Sequence, residues 1–214
     1  MPEERDHPFE PLNLEGEPVP PRQAATVIVL QGGADALEVL LVRRNPAQRF
    51  MGGAWVFPGG AIDAHEGAGD LAHRLAGVRE MAEEASVELP DPAALIRFSR
   101  WITPPQVRIR FDTHFFLAAL PDGAEPRADG KECVDLGWFT PRGALDAHRA
   151  GRIALVFPTI KHLEQLETFS SAQRLLRWAR GREVVPIEPH VVLEGEVARV
   201  VLPGEPGYAD PPLE

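Results

Sequence analysis

The chain has 214 residues, 44% of them hydrophobic, which suits a single globular core with elaborations. Its formal charge of -10 argues against a broad nucleic-acid footprint, because phosphate backbones select basic surfaces. One cysteine, Cys133, excludes an intrachain disulfide and a cysteine-rich zinc site, and no apolar run approaches the ~18 residues of a membrane span, so a cytoplasmic protein without a membrane partner is expected.

Residues 1–23 are rich in proline and acid and read as an extended segment ahead of a single domain over residues 24–214. They contain no signal-peptide apolar stretch. Residues 24–30 read as a buried strand, 32–35 as a turn and 37–42 as the hairpin partner. Residues 55–57 form a short strand that feeds a turn at Gly59-Gly60. A helix is predicted from about Asp70 to Val87, with Asp70 as its N-cap and with Leu71, Leu75, Val78, Ala82 and Ala85 as an apolar stripe. Strands follow at 96–101 and 109–119, the second so apolar at its end that a central position is expected. Residues 131–139 read as a strand, and Pro141 opens a short helix through His148. Helices at 158–167 and 171–180 precede a hairpin of residues 191–193 and 197–202 around Glu194-Gly195, and Pro211 to Glu214 is not a peroxisomal address. The order is compatible with an α+β fold, a mixed sheet between helices in an α/β/α sandwich, plus C-terminal helices and a hairpin.

Glu80, Glu83 and Glu84 fall at i, i+3 and i+4, which gathers three carboxylates on one helical face, with Glu80 and Glu84 roughly opposite the apolar stripe. Magnesium takes a few carboxylates together with water and substrate phosphates, and this cluster suits it. An ordinary outer face would mix lysine with glutamate, whereas here only Arg79 offers local compensation. Spacing alone leaves both a metal site and a solvated acidic face open.

Phe57-Pro58-Gly59-Gly60-Ala61-Ile62-Asp63, then Glu66, then Arg79-Glu80-Met81-Ala82-Glu83-Glu84 resembles the signature of the Nudix hydrolases. That signature runs Gly, five residues, Glu, seven residues, Arg-Glu-Xaa-Xaa-Glu-Glu-Xaa-Gly. Two departures stand out: twelve residues separate Glu66 from Arg79, the extra ones falling within 67–73, and Ser86 replaces the closing glycine. Trp101-Ile102-Thr103-Pro104 and residues 110–117 are similar to a branch with lengthened boxes that includes coenzyme A and acyl-coenzyme A diphosphatases. Arg49, Gly53 and Phe57-Pro58-Gly59-Gly60 keep the spacing of the coenzyme A motif, and Arg44 fits its earlier part, where Val42 and Asn45 depart.

The resemblance implies a mixed sheet between helices and hydrolysis of a diphosphate linkage. It carries Glu80, Glu83 and Glu84 over as metal ligands, with the Gly60 carbonyl as a further ligand and one glutamate as general base. Magnesium is the implied cofactor, with manganese as the alternative. Arg79 resembles the box arginine that orients a glutamate, a plain ion pair to Glu83 being the other reading, and Glu66 either binds metal or braces the loop. Glu132 lies where the family commonly supplies a further acid, with Asp135 as competitor. Arg44, Arg49 and Asp112 are the substrate-binding candidates; Arg43, Arg108 and Arg110 are further cations nearby. Trp55, Trp101 and Phe111 read either as a base-stacking pocket or as core, and His114 as a hydrogen-bonded core histidine. The leading substrate is coenzyme A or its acyl esters. ADP-ribose or a nucleotide sugar, and a non-catalytic nucleotide sensor, are the alternatives, and a homodimer is left open.

Overall fold

β-Branched and aliphatic residues dominate the first long strand, β1 (Arg22–Gln31), and their alternation sends side chains to two covered faces. The computed structural model describes Leu12, residues 17–194 and residues 197–208. Most of the proline-rich segment, Gly195 in the expected hairpin turn, and residues 211–214 lie outside the described residues. After β1 come β2 (Glu38–Arg44), β3 (Trp55–Val56), β4 (Gly59–Ala61), α1 (Gly69–Ala85), β5 (Ile96–Ile102), β6 (Phe111–Ala119) and β7 (Cys133–Phe139). Three helices, α2 (Pro141–Arg149), α3 (Phe157–Leu166) and α4 (Ala172–Ala179), precede β8 (Pro186–Ile187), β9 (His190–Glu194) and β10 (Val197–Val201).

The main sheet is mixed, in the order β3-β2-β1-β6-β5-β8, with β4 added to β1 and β7 to β2. β1 and β6 run parallel from the Arg22–Phe111 pair to the Leu30–Ala119 pair, and β5 flanks β6 antiparallel, so β6 is central, as its apolar end implies. β9 and β10 form a separate antiparallel hairpin. On one face Ala25, Val27, Val29, Leu40, Val42 and Phe116 pack against Ala76, Met81 and Ala85 of α1. On the other, Ile28, Leu30, Val39, Leu41, Phe115 and Leu117 meet Leu145 of α2, Leu163 and Leu166 of α3, and Leu175 of α4. This is the expected α+β sandwich.

Three local expectations change. The buried face of α1 is not the leucine stripe: Leu71 is 61% exposed, while Ala72, Ala76, Gly77, Met81, Glu84 and Ala85 are buried. Small residues let α1 approach β1 so closely that a β-carbon on Gly77 would lie 2.9 Å from Val27 Cγ2. Asp70 is not the N-cap; Ala68 holds that position with no side-chain bond, and the Asp70 carboxylate instead accepts from Arg74 at 2.7 Å and from Arg97 at 2.9 Å. Gly59-Gly60 is not a turn but part of β4, paired antiparallel with β1 at Ala25 and Thr26. Ser86 does take the left-handed C-cap conformation, with φ 55° and ψ 33°. Its N–H donates to Ala82 O at 3.2 Å and the Val87 N–H to Met81 O at 3.1 Å, which closes the helix at a backbone cost of about 1 kcal/mol relative to glycine.

Candidate active site

Glycine is required where β4 meets α1. A β-carbon on Gly59 would overlap Thr26, and one on Gly60 would overlap the Glu80 carboxylate, so these residues let the helix set its acidic side chains directly on the strand backbone. The Gly59 N–H donates to Glu84 Oε2 at 3.0 Å, and Arg44 Nη1 stands 3.8 Å from Glu84 Oε1. Cys133, paired across β2–β7 with Arg44, brings its thiol beside the same carboxylate. Glu84 is only 3% exposed. Burial, reinforced by the nearby Glu80 charge, outweighs the Gly59 bond and Arg44 and pushes its carboxyl up to about 7. Burial also raises Glu80, helped by the charges of Glu83 and Glu132 against the opposing pull of Arg79. Burial, with the Glu84 charge beside it, likewise pushes the Cys133 thiol well above its usual range.

Arg79 is the hub of the cluster. Its Nε donates to Glu66 at 3.0 Å, its Nη1 to Glu80 at 2.7 Å and Glu83 at 3.0 Å, and its Nη2 to the Ala61 carbonyl at 2.9 Å. Burial opposes its charge, but the bonds to Glu66 and Glu80 prevail and hold it charged. Arg79 therefore contacts both of the glutamates that the two sequence readings name, Glu80 and Glu83. Glu66 accepts the Asp63 N–H at 2.7 Å, which braces the loop, and its carboxyl is held low because Arg79 outweighs burial.

The remaining candidates divide. Arg44 belongs to the cluster and donates to Phe50 O and Gln48 Oε1. Arg49 is exposed on the loop before β3 and carries no ion pair among the described residues. Glu132 is exposed just before β7, near enough to raise Glu80, while the Asp135 carboxylate accepts the Leu136 N–H. Asp112 lies elsewhere, on β6, where Arg100 grips both its oxygens at 2.8 and 2.6 Å and Gln23 adds a bond at 3.2 Å. Burial opposes the Asp112 charge, yet Arg100 and Gln23 hold the carboxyl low. His114 makes no hydrogen bond among the described residues, contrary to expectation, and stacks instead on His73 with centroids 3.8 Å apart. Trp101 packs with Phe157 and His162 and Trp55 with Phe139, both as core on the α2–α4 side, while Phe111 sits against Phe50. Sequence reasoning missed Cys133, whose role depends on strand register, and Arg100, whose partner lies on the next strand.

Among the described residues no three acidic, histidine or cysteine side chains converge in ligating geometry; Arg79 gathers the carboxylates instead. The donor chemistry nonetheless fits a hard divalent cation. Glu80 and Glu84 are carboxylates that burial and mutual repulsion disfavour as anions, and Gly60 leaves the approach to Glu80 free of a side chain.

Known proteins are similar to this chain in sequence and fold. Human acyl-coenzyme A diphosphatase NUDT19 is 24% identical over 276 aligned positions, which cover 83% of this chain and 74% of that protein. The crystal structure of a NUDIX hydrolase from Alicyclobacillus acidocaldarius superposes with a TM-score of 0.66 at 28% identity, covering 74% of this chain and 96% of that one. The NUDIX domain of Shewanella oneidensis NrtR, solved with ADP ribose, shares the fold at 18% identity and a TM-score of 0.53, covering 70% of this chain and 88% of that one. Nudix hydrolases generally use divalent metals. The NUDIX domain family matches residues 20–157, which hold the glycine strand, the whole glutamate cluster and Arg79, and the chain belongs to the Nudix hydrolases.

Proposed function

We propose that the chain is a magnesium-dependent diphosphatase that cleaves coenzyme A or an acyl-coenzyme A into a phosphopantetheine and an adenosine bisphosphate. The observation that carries the reading is Glu84, a carboxylate sealed between the Gly59 N–H, Arg44 and Cys133 and set beside Glu80, an arrangement a plain solvated face would not need. Similarity to human acyl-coenzyme A diphosphatase NUDT19 over 83% of the chain supports the substrate class. ADP-ribose is the second reading, favoured by the ADP ribose held by the NrtR domain.

In this reading Glu80, Glu83, Glu84 and the Gly60 carbonyl would hold the cation, with Glu132 as the outlying acid. When bound, the cation would neutralise phosphate oxygens and acidify the attacking water. Arg79 fixes the rotamers of Glu80 and Glu83, so the carboxylates are positioned before substrate arrives. Water adds to phosphorus, one of the three glutamates takes its proton, and the phosphorus–oxygen bond of the diphosphate breaks towards the leaving phosphate. Arg44 and Arg49 meet the anionic substrate from the β2–β3 side. Asp112, whose oxygens are engaged by Arg100 and Gln23, holds Arg100 in place and takes no part in this step.

The test is incubation of the purified chain with magnesium and coenzyme A, acyl-coenzyme A, ADP-ribose, nucleotide sugars and dinucleoside polyphosphates, with products separated chromatographically and Glu84→Gln as control. Cleavage of coenzyme A or its esters, abolished in the variant, supports the reading. Failure to cleave any diphosphate, or full activity in Glu84→Gln, contradicts it.

A further inference from the structure

The extra residues of the lengthened box have a location of their own. Gly67, Ala68, Gly69 and Asp70 wall a cavity of about 660 Å³ at the N-terminal end of α1, a volume in the range of small-molecule sites. Its other walls bring Arg22 and Gln23 from β1, Arg97 and Arg100 from β5, His73 from α1 and His114 from β6. At ~1.5 Å per residue, His73 lies roughly 16 Å along α1 from Glu84, and the cavity meets the glutamate cluster at Asp63, which stands 3.7 Å from Arg79 Nε.

The balance of charge there is unlike that of the chain. Three arginines line the cavity against Asp63 and Asp70, in a protein of net charge -10. Asp70 is already shared by Arg74 and Arg97, and the Arg100 charge is opposed by Asp112. Arg97 spends Nε and Nη2 on Asp70, and Arg100 spends Nε and Nη2 on Asp112, so each keeps Nη1 without a partner among the described residues. Arg22 has no acidic partner at all among them and lies 5.8 Å from the centre of the Phe111 ring. The two stacked imidazoles differ in the same way. His73 uses both nitrogens, on Gly69 O at 2.8 Å and Gln23 Oε1 at 3.1 Å, whereas His114 uses neither within the described chain.

We propose that this cavity is a second, anion-selective site that takes a phosphate group, free or on a monoester, with Arg22, Arg97, Arg100 and His114 as its donors. Several guanidinium groups approaching from different strands suit the three oxygens of a phosphate better than a planar carboxylate, which one arginine satisfies side-on. Burial, with His73 and Arg100 beside it, pulls His114 down to about 4, so it enters as a neutral ring. The site does not draw on the glutamates, and its test is independent of hydrolysis.

The test uses the full chain in EDTA, with the histidine ring resonances followed by NMR during titration with inorganic phosphate and, separately, with AMP; adenosine is the control. The His114 signals are identified by their loss in His114→Phe, which preserves the stack. Both phosphate compounds are expected to shift them saturably and adenosine is not, and Arg22→Gln and Arg97→Gln are each expected to weaken binding about tenfold. Tighter binding of AMP would mean that the phosphate arrives on a nucleoside, and equal binding that it arrives free; either supports the site. Absence of a saturable shift with both compounds, or unchanged affinity in both arginine variants, overturns it. Arg22 is exposed and Arg97 half-exposed, so neither substitution threatens folding.

Discussion

On the α2–α4 face of the sheet the buried side chains are large and apolar, Leu145, Leu163, Leu166, Leu175, Phe98 and Trp101 among them, and the buried His162 ring has both nitrogens satisfied. On the α1 face the helix offers Ala72, Ala76, Gly77 and Ala85, and in the space these leave it buries Glu84 and half-buries Glu80 and Arg79. Each fully buried leucine on the first face contributes about 1.5–3 kcal/mol. On the second, a carboxyl raised from 4.5 to about 7 costs about 3 kcal/mol in the metal-free protein above pH 7. The sign follows from the direction of the shift: the folded state holds the Glu84 proton more tightly than the unfolded chain, so stability falls as pH rises from 4.5 through 7. One face stabilises the fold, and the other accepts electrostatic strain for the sake of the site.

The contrast can be broken most forcefully by Leu163→Ala. It should cost about 2–5 kcal/mol in urea unfolding and leave hydrolysis per folded molecule unchanged. Gly60→Ala should do the reverse: its β-carbon displaces the Glu80 carboxylate, so hydrolysis should fall about 100-fold while the melting temperature stays within a few degrees. A smaller effect concerns His162, where the Ser99 hydroxyl donates to Nε2 and Nδ1 donates to Pro158 O. Burial lowers its pKa to about 4 against the bond to Pro158, so the folded state excludes a proton that the unfolded chain accepts near 6.5. Its contribution is complete above pH 6.5 and is lost as pH falls towards 4; unfolding curves across that window should flatten in His162→Gln. The smallest expected change is Ser86→Gly, which should raise stability by about 1 kcal/mol by relieving the left-handed backbone, as measured by thermal unfolding.

The sequence was readable where the signal is local. The β-branched run of β1, the apolar end of β6 and the glutamate spacing each show in a short window, and all reappear in the fold. The face of α1 was not readable, because close approach to the sheet selects alanine and glycine, which carry little hydrophobic weight, and leaves Leu71 in solvent. The N-cap reading of Asp70 failed for a related reason: Arg97, 27 positions away, claims the carboxylate. Of the cluster, the carboxylates were legible but their surroundings were not, since Cys133 reaches Glu84 only through the β2–β7 register. Arg100 was invisible because its meaning is its partner, Asp112, across the β5–β6 pair.

The claim that the α1 face trades stability for chemistry is tested most directly by Glu84→Gln, measured twice: kcat/KM with magnesium on the preferred diphosphate, and urea unfolding in EDTA at pH 8. The account predicts a loss of activity of about 100-fold or more together with unchanged or increased stability, because the amide keeps an acceptor for the Gly59 N–H and removes a buried charge. Retained activity, or a loss of stability of several kcal/mol alongside the loss of activity, would contradict it.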